Sequence, residues 1–325
     1  MRKLFTAALL SILTTVSVSA IDFSIVGRVD YPLNYGLYTF LDGDIGEHVS
    51  YSFSNHWVSK DTKALYQNTW RSWDVNWCDW ANFTFTFGGL SITVGKDLLL
   101  TGSNEEMPND VDNYAFLCSE FWNNLQMYQW GGKIAYEFSD INTTFEAQYC
   151  SSPFNEKPFL KNGAFSFGIS GEYGIYQPHF TANMIGYDPM EYEIETVSSN
   201  KFWILTLGNL FTVTDNLSLA LDYILCPNKP VSVSNHLAFT GDWRCLDHLG
   251  LKCKAGYEWF DSDMEEDLLL GFSPKHWFAG LICEFYPLKS DDLRIHAGGG
   301  YSQGTKNYFN IGITYNFNVT NLFRK

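Results

Sequence analysis

Residues 300–304, Gly-Tyr-Ser-Gln-Gly, fit the pattern G-x-S-x-G, which in hydrolases lifts a nucleophilic serine onto a strained strand-to-helix elbow. That chemistry needs a histidine and an acid beside the serine. Here Ser302 falls at a hairpin loop between two alternating segments, so the pattern reads as turn chemistry. His179 and His296 fall on the polar phase of their segments. His48, His56, His236, His248 and His276 fall at segment ends or turns, and the spacing pairs none of them with a nucleophile. There is no HExxH and no glycine-rich phosphate loop. The sequence therefore points away from an enzyme.

Metal and redox chemistry are equally poorly supplied. Residues 261–267, Asp-Ser-Asp-Met-Glu-Glu-Asp, set carboxylates at alternate positions. They lack the glycine and the terminal glutamate of a calcium-binding loop, so they read as a solvated acidic tip. Seven cysteines include no CxxC pair, and their odd number rules out complete internal pairing. Cys245, Cys253 and Cys283 share the apolar phase of their segments and read as small hydrophobes. No cofactor and no metal are expected.

The charged residues suit a channel better, where lumenal charge and a constriction set selectivity. Residues 100–127 form a connection long enough to fold inward. It carries Glu105, Glu106, Asp110, Asp112 and Glu120 with no Lys or Arg, and reads as an acidic constriction favouring cations or neutral solutes. A solvated external loop is the rival reading. Lys133, Glu137, Glu146, Asp222, Asp242, Arg244, Lys252, Lys254, Glu258 and Arg294 occupy the polar phase of their segments and complete the set of pore-lining candidates.

The elements that must position these residues are strands. In "NYFNIGITYNFN" (307–318), Phe309, Ile311, Ile313, Tyr315 and Phe317 alternate with Asn310, Gly312, Thr314, Asn316 and Asn318. Successive strand residues point to opposite faces, giving one oily side and one wet side. The pattern recurs along most of the chain, in stretches of about the 9 to 11 residues a tilted membrane strand requires. Connections alternate between short ones (139–140, 172–174, 215–216, 247–248, 289–292) and long ones (100–127, 151–162, 187–200, 227–234, 261–275). Such alternation belongs to an up-and-down transmembrane antiparallel β-barrel. About sixteen strands are expected, near 22–30, 47–57, 66–77, 80–88, 90–98 and eleven more from Trp130 onward. The segment 66–77 fits the strand period least cleanly.

Composition agrees. Aromatics make up 17% of the chain, while mean hydropathy is only −0.14, as expected for strands apolar on one face. Beyond the N-terminus no run approaches the ~18 apolar residues of a membrane helix. A soluble β-sandwich would also alternate, but its strands average nearer five or six residues. Here many aromatics lie near segment ends, as interfacial girdles require. Residues 1–20 read as a signal peptide: Arg2 and Lys3, an apolar run from Leu4, and small residues before Ile21. The remaining 21–325 read as one barrel. Formal net charge is −15, which argues against nucleic acid as a partner.

Three segments resemble a known family. "LSITVGKDLLLTG" (90–102), "SEFWNNLQMYQWGGKIAYEF" (119–138) and "AQYCSSPF" (147–154) are similar to the phosphate-selective porin O/P-type outer-membrane porins, in their Bacteroidetes-like form. That resemblance implies a sixteen-stranded homotrimeric porin with a loop folded into the pore. Its partners would be outer-membrane lipid and small hydrophilic solutes or ions. The resemblance does not extend to anion selectivity, because the polar phase mixes acids with Lys and Arg.

Overall fold

The computed structural model describes residues 18–31, 34–58, 78–105, 119, 125, 127–153, 162–187, 201–227, 234–260, 275–288, 290–303 and 306–320. Sixteen strands form one closed barrel in which each pairs with its neighbours in sequence, all antiparallel. In chain order they are β1 (Val18–Tyr31), β2 (Asn34–Ile45), β3 (Val49–Val58), β4 (Trp80–Phe87), β5 (Leu90–Leu98) and β6 (Tyr128–Phe138). Then come β7 (Thr143–Ser151), β8 (Gly163–Gly171), β9 (Tyr176–Gly186), β10 (Lys201–Thr214) and β11 (Leu217–Cys226). The last five are β12 (Ser234–Leu246), β13 (Leu249–Phe260), β14 (Lys275–Phe285), β15 (Leu293–Ser302) and β16 (Lys306–Asn318).

The expected number of strands holds, but one member of the set differs. Residues 34–45 form β2, which the sequence reading passed over. The expected strand at 66–77 lies outside the described residues, and β3 pairs directly with β4 through Ser54↔Trp80. The pattern of "NYGLYTFLDGDI" explains the omission: Tyr38 and Phe40 stand on the same phase as Asp42 and Asp44, so the alternation is blurred.

Closure is what makes the architecture viable. A sheet with an open edge would leave unpaired N–H and C=O groups, which cost several kcal/mol each in hydrocarbon, by about the amount of a buried unmade hydrogen bond. Here β1 meets β16 in continuous register from Ser24↔Asn318 to Tyr31↔Ile311. The seam is extended by Val319 N–H donating to Phe23 O at 2.8 Å, and by Phe23 N–H donating to Thr320 Oγ1 at 2.7 Å.

The two faces separate as the pattern demands. On β16 Phe309 is 58% exposed on the outside, whereas Asn310 is 0% exposed on the inside. The same holds around the ring: Val29, Ile134, Leu207, Leu221 and Leu281 are exposed on the outer face. Lumenal Ser54, Gln148, Thr181, Asn183, Thr240 and Thr314 are buried. This is an inside-out arrangement, with the polar residues enclosed and the oily ones displayed. A stacked sandwich would have done the reverse.

Candidate pore and its inner segment

After β5, residues Leu99–Glu105 stay inside the barrel and run across its inner wall, meeting successive parts of it. Leu100 N–H donates to Gln148 Oε1 of β7 at 2.8 Å, and Gln148 Nε2 returns a bond to Leu98 O. Thr181 Oγ1 of β9 donates to Thr101 O at 2.5 Å. On β11, Asp222 accepts from Ser103 Oγ (2.6 Å), Asn104 N–H (2.5 Å) and Asn104 Nδ2 (3.0 Å). Glu105 then reaches β12 and β13. The segment thus leans on five strands in six residues, because lumenal side chains such as Gln148, Asp222, His236 and Lys254 reach in to meet it.

Two glycines admit it. Gly102 has φ +70, a left-handed conformation that costs other residues free energy. Gly208 of β10 stands on the lumenal phase, and a Cβ there would lie 2.2 Å from Gly102 O. The sheet presents bare backbone where the segment crosses it most closely.

The segment ends in a buried charge cluster. Glu105 is 0% exposed. Its Oε2 lies 2.8 Å from His236 Nε2 and its Oε1 3.7 Å from Lys254 Nζ. Ser119 donates to it through both N–H (2.7 Å) and Oγ (3.0 Å). Removing such groups from water is costly, and only opposite charges with full hydrogen bonding offset it. Glu105 belongs to the connection, outside the strands. Burial would raise its carboxyl, but Lys254 and His236 outweigh that and bring it down to about 2. The cluster continues along the wall. His236 Nδ1 is 3.6 Å from Glu258 Oε1, and His276 Nδ1 is 2.8 Å from Glu258 Oε2. His276 Nε2 is 3.0 Å from Ser302 Oγ.

Toward the short-turn end the lumen is wetted. A cavity of about 720 Å³ is lined there by Ser218, Asp242, Arg244, Lys252, Glu284 and Tyr286, among others. Its charges pair across strands: Lys252 lies 3.3 Å from Glu284 and 3.8 Å from Asp242, and Arg294 lies 3.3 Å from Glu284. Arg244 bridges to Asp291 at 2.7 Å and covers the Tyr286 ring at 3.6 Å. On the opposite side of the ring a second cavity of about 360 Å³ is lined by Asp22, Asp42, Asp44, Ser50, Ser52 and Asn82. That wall is acidic without any Lys or Arg among its lining.

The sequence-derived residues fall as follows. Lys133 pairs with Asp97 at 3.1 Å, and Glu146 faces His179 at 3.7 Å. Glu137 shares the phase of Lys133 near the end of β6 and is exposed. Asp222, Lys254 and Glu258 belong to the buried network. Asp242, Arg244, Lys252 and Arg294 belong to the wetted end. Glu105 lies inside the barrel with its charge balanced against Lys254 and His236. Glu106, Asp110, Asp112 and Glu120 lie outside the described residues, as does the acidic run 261–267. His236 and His276 lie near the starts of β12 and β14, as the sequence indicated, and both point inward. The reading that no histidine meets a serine is corrected: His276 meets Ser302. The parity of the two histidines with Asp242 and Glu284 was the available signal.

No family model matches the chain, and no curated protein matches it. Solved structures do. The outer membrane channel DcaP of Acinetobacter baumannii aligns over 92% of this chain and 96% of its own, with a TM-score of 0.61 at 13% identity. A loop L8 deletion mutant of OmpT, an outer membrane protein of Vibrio cholerae, aligns over 92% and 99%, with a TM-score of 0.59 at 12% identity. A mutant Rh. blastica porin aligns over 92% and 99%, at 0.56 and 11%. At such identities the likeness is one of fold: the chain has the closed antiparallel barrel architecture seen in outer-membrane channels.

Proposed function

We propose that this protein is an outer-membrane porin, through which small hydrophilic solutes diffuse passively along a polar lumen. The observation that carries this reading is the Leu99–Glu105 segment. A stretch bonded to the inner wall narrows a passage from within while leaving the outer surface intact. The fold is shared with barrels described as channels and porins, and the exposed outer residues suit hydrocarbon. The preference is for cations or neutral solutes, because the Asp22, Asp42 and Asp44 wall has no basic residue in its lining. The wetted Lys and Arg residues opposite it are paired with acids. This departs from the anion selectivity of the phosphate-selective family that three segments resemble, and kinship with that family remains part of the proposal.

The protein reaches the outer membrane of a Gram-negative cell by export through the periplasm. Cleavage after Ala20 would remove Val18–Ala20 from β1, with their pairing to Ile45 and Asp44 of β2, and would leave intact the β1–β16 register, which begins at Ser24. Homotrimeric assembly is supported by a trimer form among the related folds, the OmpT of Vibrio cholerae, with a TM-score of 0.57 at 12% identity. The pore-lining assignment rests on Asp242, Arg244 and Lys252, which line the wetted cavity, on Arg294, which pairs with Glu284 of that cavity, and on Lys133, Glu137 and Glu146 of β6 and β7. Glu105, Asp222, Lys254 and Glu258 hold the inner segment. Glu106, Asp110, Asp112 and Glu120 belong to the same connection and to the same proposal.

One observation favours a second reading, a non-conducting surface-binding or structural barrel. Away from the short-turn end the lumenal wall is buried on strand after strand, including Ser54, Gln148, Thr181, Thr206, Thr240 and Asn310. Planar-bilayer recording decides between the two. Discrete conductance steps, with a reversal potential of cation sign in a salt gradient, are the expected result. Anion sign overturns the selectivity, and an inserted protein that passes no current overturns the porin.

A further inference from the structure

We propose that Ser302 is a nucleophile, activated by His276 and held in order by Glu258, that reacts with small activated esters entering the lumen. The three residues lie at or near the ends of three consecutive strands: Glu258 on β13, His276 on β14 and Ser302 on β15. The register sets Glu258 opposite His276. Ser302 Oγ lies 3.0 Å from His276 Nε2, and His276 Nδ1 lies 2.8 Å from Glu258 Oε2. These are hydrogen-bond distances on both sides of one imidazole. A hydroxyl, a base and an orienting carboxylate in that sequence are what nucleophilic activation requires. The three side chains come from rigid sheet, which holds such geometry better than a loop.

The surroundings reinforce the order. Glu258 is 2% exposed, and its second oxygen faces His236 at 3.6 Å. His236 in turn contacts Glu105 of the inner segment. The Glu258 carboxylate is therefore hydrogen-bonded through one oxygen to the base it orients, and that base presents Nε2 to Ser302. Ser302 meets its base at the end of a strand, where the sequence pattern alone read as turn chemistry.

The chemistry balances without a cofactor. Ser302 Oγ attacks the carbonyl carbon, and its proton passes to His276 Nε2. As the bond to the leaving alkoxide breaks, the imidazolium returns that proton to it, releasing the alcohol. Water then gives a proton to Nε2 and attacks the acyl carbon, and Ser302 leaves as the hydroxyl, releasing the acid. Ser302 and His276 are the catalytic residues, and Glu258 is a positioning residue.

The test uses the mature protein folded in detergent, with an alkyl fluorophosphonate as probe. Oγ then displaces fluoride from phosphorus while its proton goes to Nε2. Peptide mass spectrometry should find the phosphonyl group on Ser302, at a rate that rises with pH. His276→Ala should slow labelling by about 100-fold, within the range of general-base catalysis, and Glu258→Gln by about 10-fold. Ser302→Ala should abolish labelling while keeping heat-modifiable gel mobility and bilayer behaviour. Ser218, a half-buried lumenal serine, sets the background. Should His276→Ala fail to fold, Glu258→Gln and the pH profile still decide. Labelling no faster than at Ser218, or labelling of Ser302 that neither variant slows and pH does not move, overturns the proposal. Because the readout is covalent modification, its failure leaves the porin reading untouched.

Discussion

The carbonyl oxygen of Gly102 occupies the place above Gly208 that any side chain would fill: an added Cβ would approach it to 2.2 Å. Backbone cannot yield as a flexible side-chain tip can, so the inner segment and a larger residue at 208 exclude one another. Gly208→Leu is expected to lift the segment from the wall, breaking the bonds from Ser103 and Asn104 to Asp222. Overpacking of this kind costs about 1–3 kcal/mol, too little to open a sixteen-stranded ring. The variant should fold, lose that much in denaturant midpoint, and show altered single-channel conductance. An unchanged midpoint together with unchanged conductance would show that the segment does not depend on this contact.

Glu105 and Lys254 are expected to be coupled. Glu105→Ala leaves Lys254, 1% exposed, as a buried cation that has lost one partner. Breaking a buried pair from one side costs about 3–5 kcal/mol. Replacing both, as Glu105→Gln with Lys254→Met, should recover much of that loss. A double-mutant cycle on unfolding free energy in detergent micelles measures the coupling. The pH dependence follows from the direction of the shift. A carboxylate held down to about 2 contributes stability that is fully present above its unfolded value. That stability is lost only as pH falls through the folded value. The clamp should therefore keep its full strength between pH 7 and about 5, and conductance attributable to segment release should be flat across that window.

The fold was legible because lipid imposes a simple rule. Alternation of period two, sustained over ten residues and repeated, specifies a barrel wall even where no motif exists. Phe309 to Phe317 show the rule at its clearest. It failed at β2, where Tyr38 and Phe40 face the lumen. Aromatic residues on the inner face, with Phe40 5.8 Å from Trp80, erase the contrast that the pattern relies on. The buried network was partly legible. His236 and His276 sit at the same parity as Asp242 and Glu284, so phase alone places them inside. What could not be read is which wall a connecting segment meets, since that depends on strands far away in sequence. Asp222 and Ser103 are 119 residues apart, and only closure of the ring brings them together.

The cysteines should report the two faces chemically. None of the six described cysteines is bridged, and Cys283 is exposed on the outer phase. In proteoliposomes Cys283 should react with an uncharged, bilayer-soluble maleimide and resist a charged one. Cys78 is buried beside Asp79, and burial, aided by that carboxylate, pushes its thiol up to about 11. It should resist both reagents at pH 8, because the thiolate is the reactive form. Reduced and non-reduced samples should migrate alike. Rapid labelling of Cys78 at pH 8 would contradict its placement.

Adjacent residues of β16 offer the sharpest comparison of the two faces. Ile313 is exposed on the outer side, while Thr314 is buried on the inner side within 3.2 Å of the Arg294 guanidinium. An arginine placed on the lipid face near mid-strand costs about 2–4 kcal/mol, falling toward the interfaces. Ile313→Arg should therefore reduce folding free energy into bilayers by that amount, and the loss should shrink in shorter-chain lipid as the residue nears water. Thr314→Arg introduces the same side chain one position along, into an aqueous interior that already holds Glu284 near Arg294. Its penalty should be independent of lipid chain length and sensitive to salt, because it arises from repulsion between cations and not from hydrocarbon. Equal penalties for the two, or a lipid-length dependence at 314 and not at 313, would mean that the faces are assigned the wrong way round. Such a result would remove the physical basis for an enclosed polar passage.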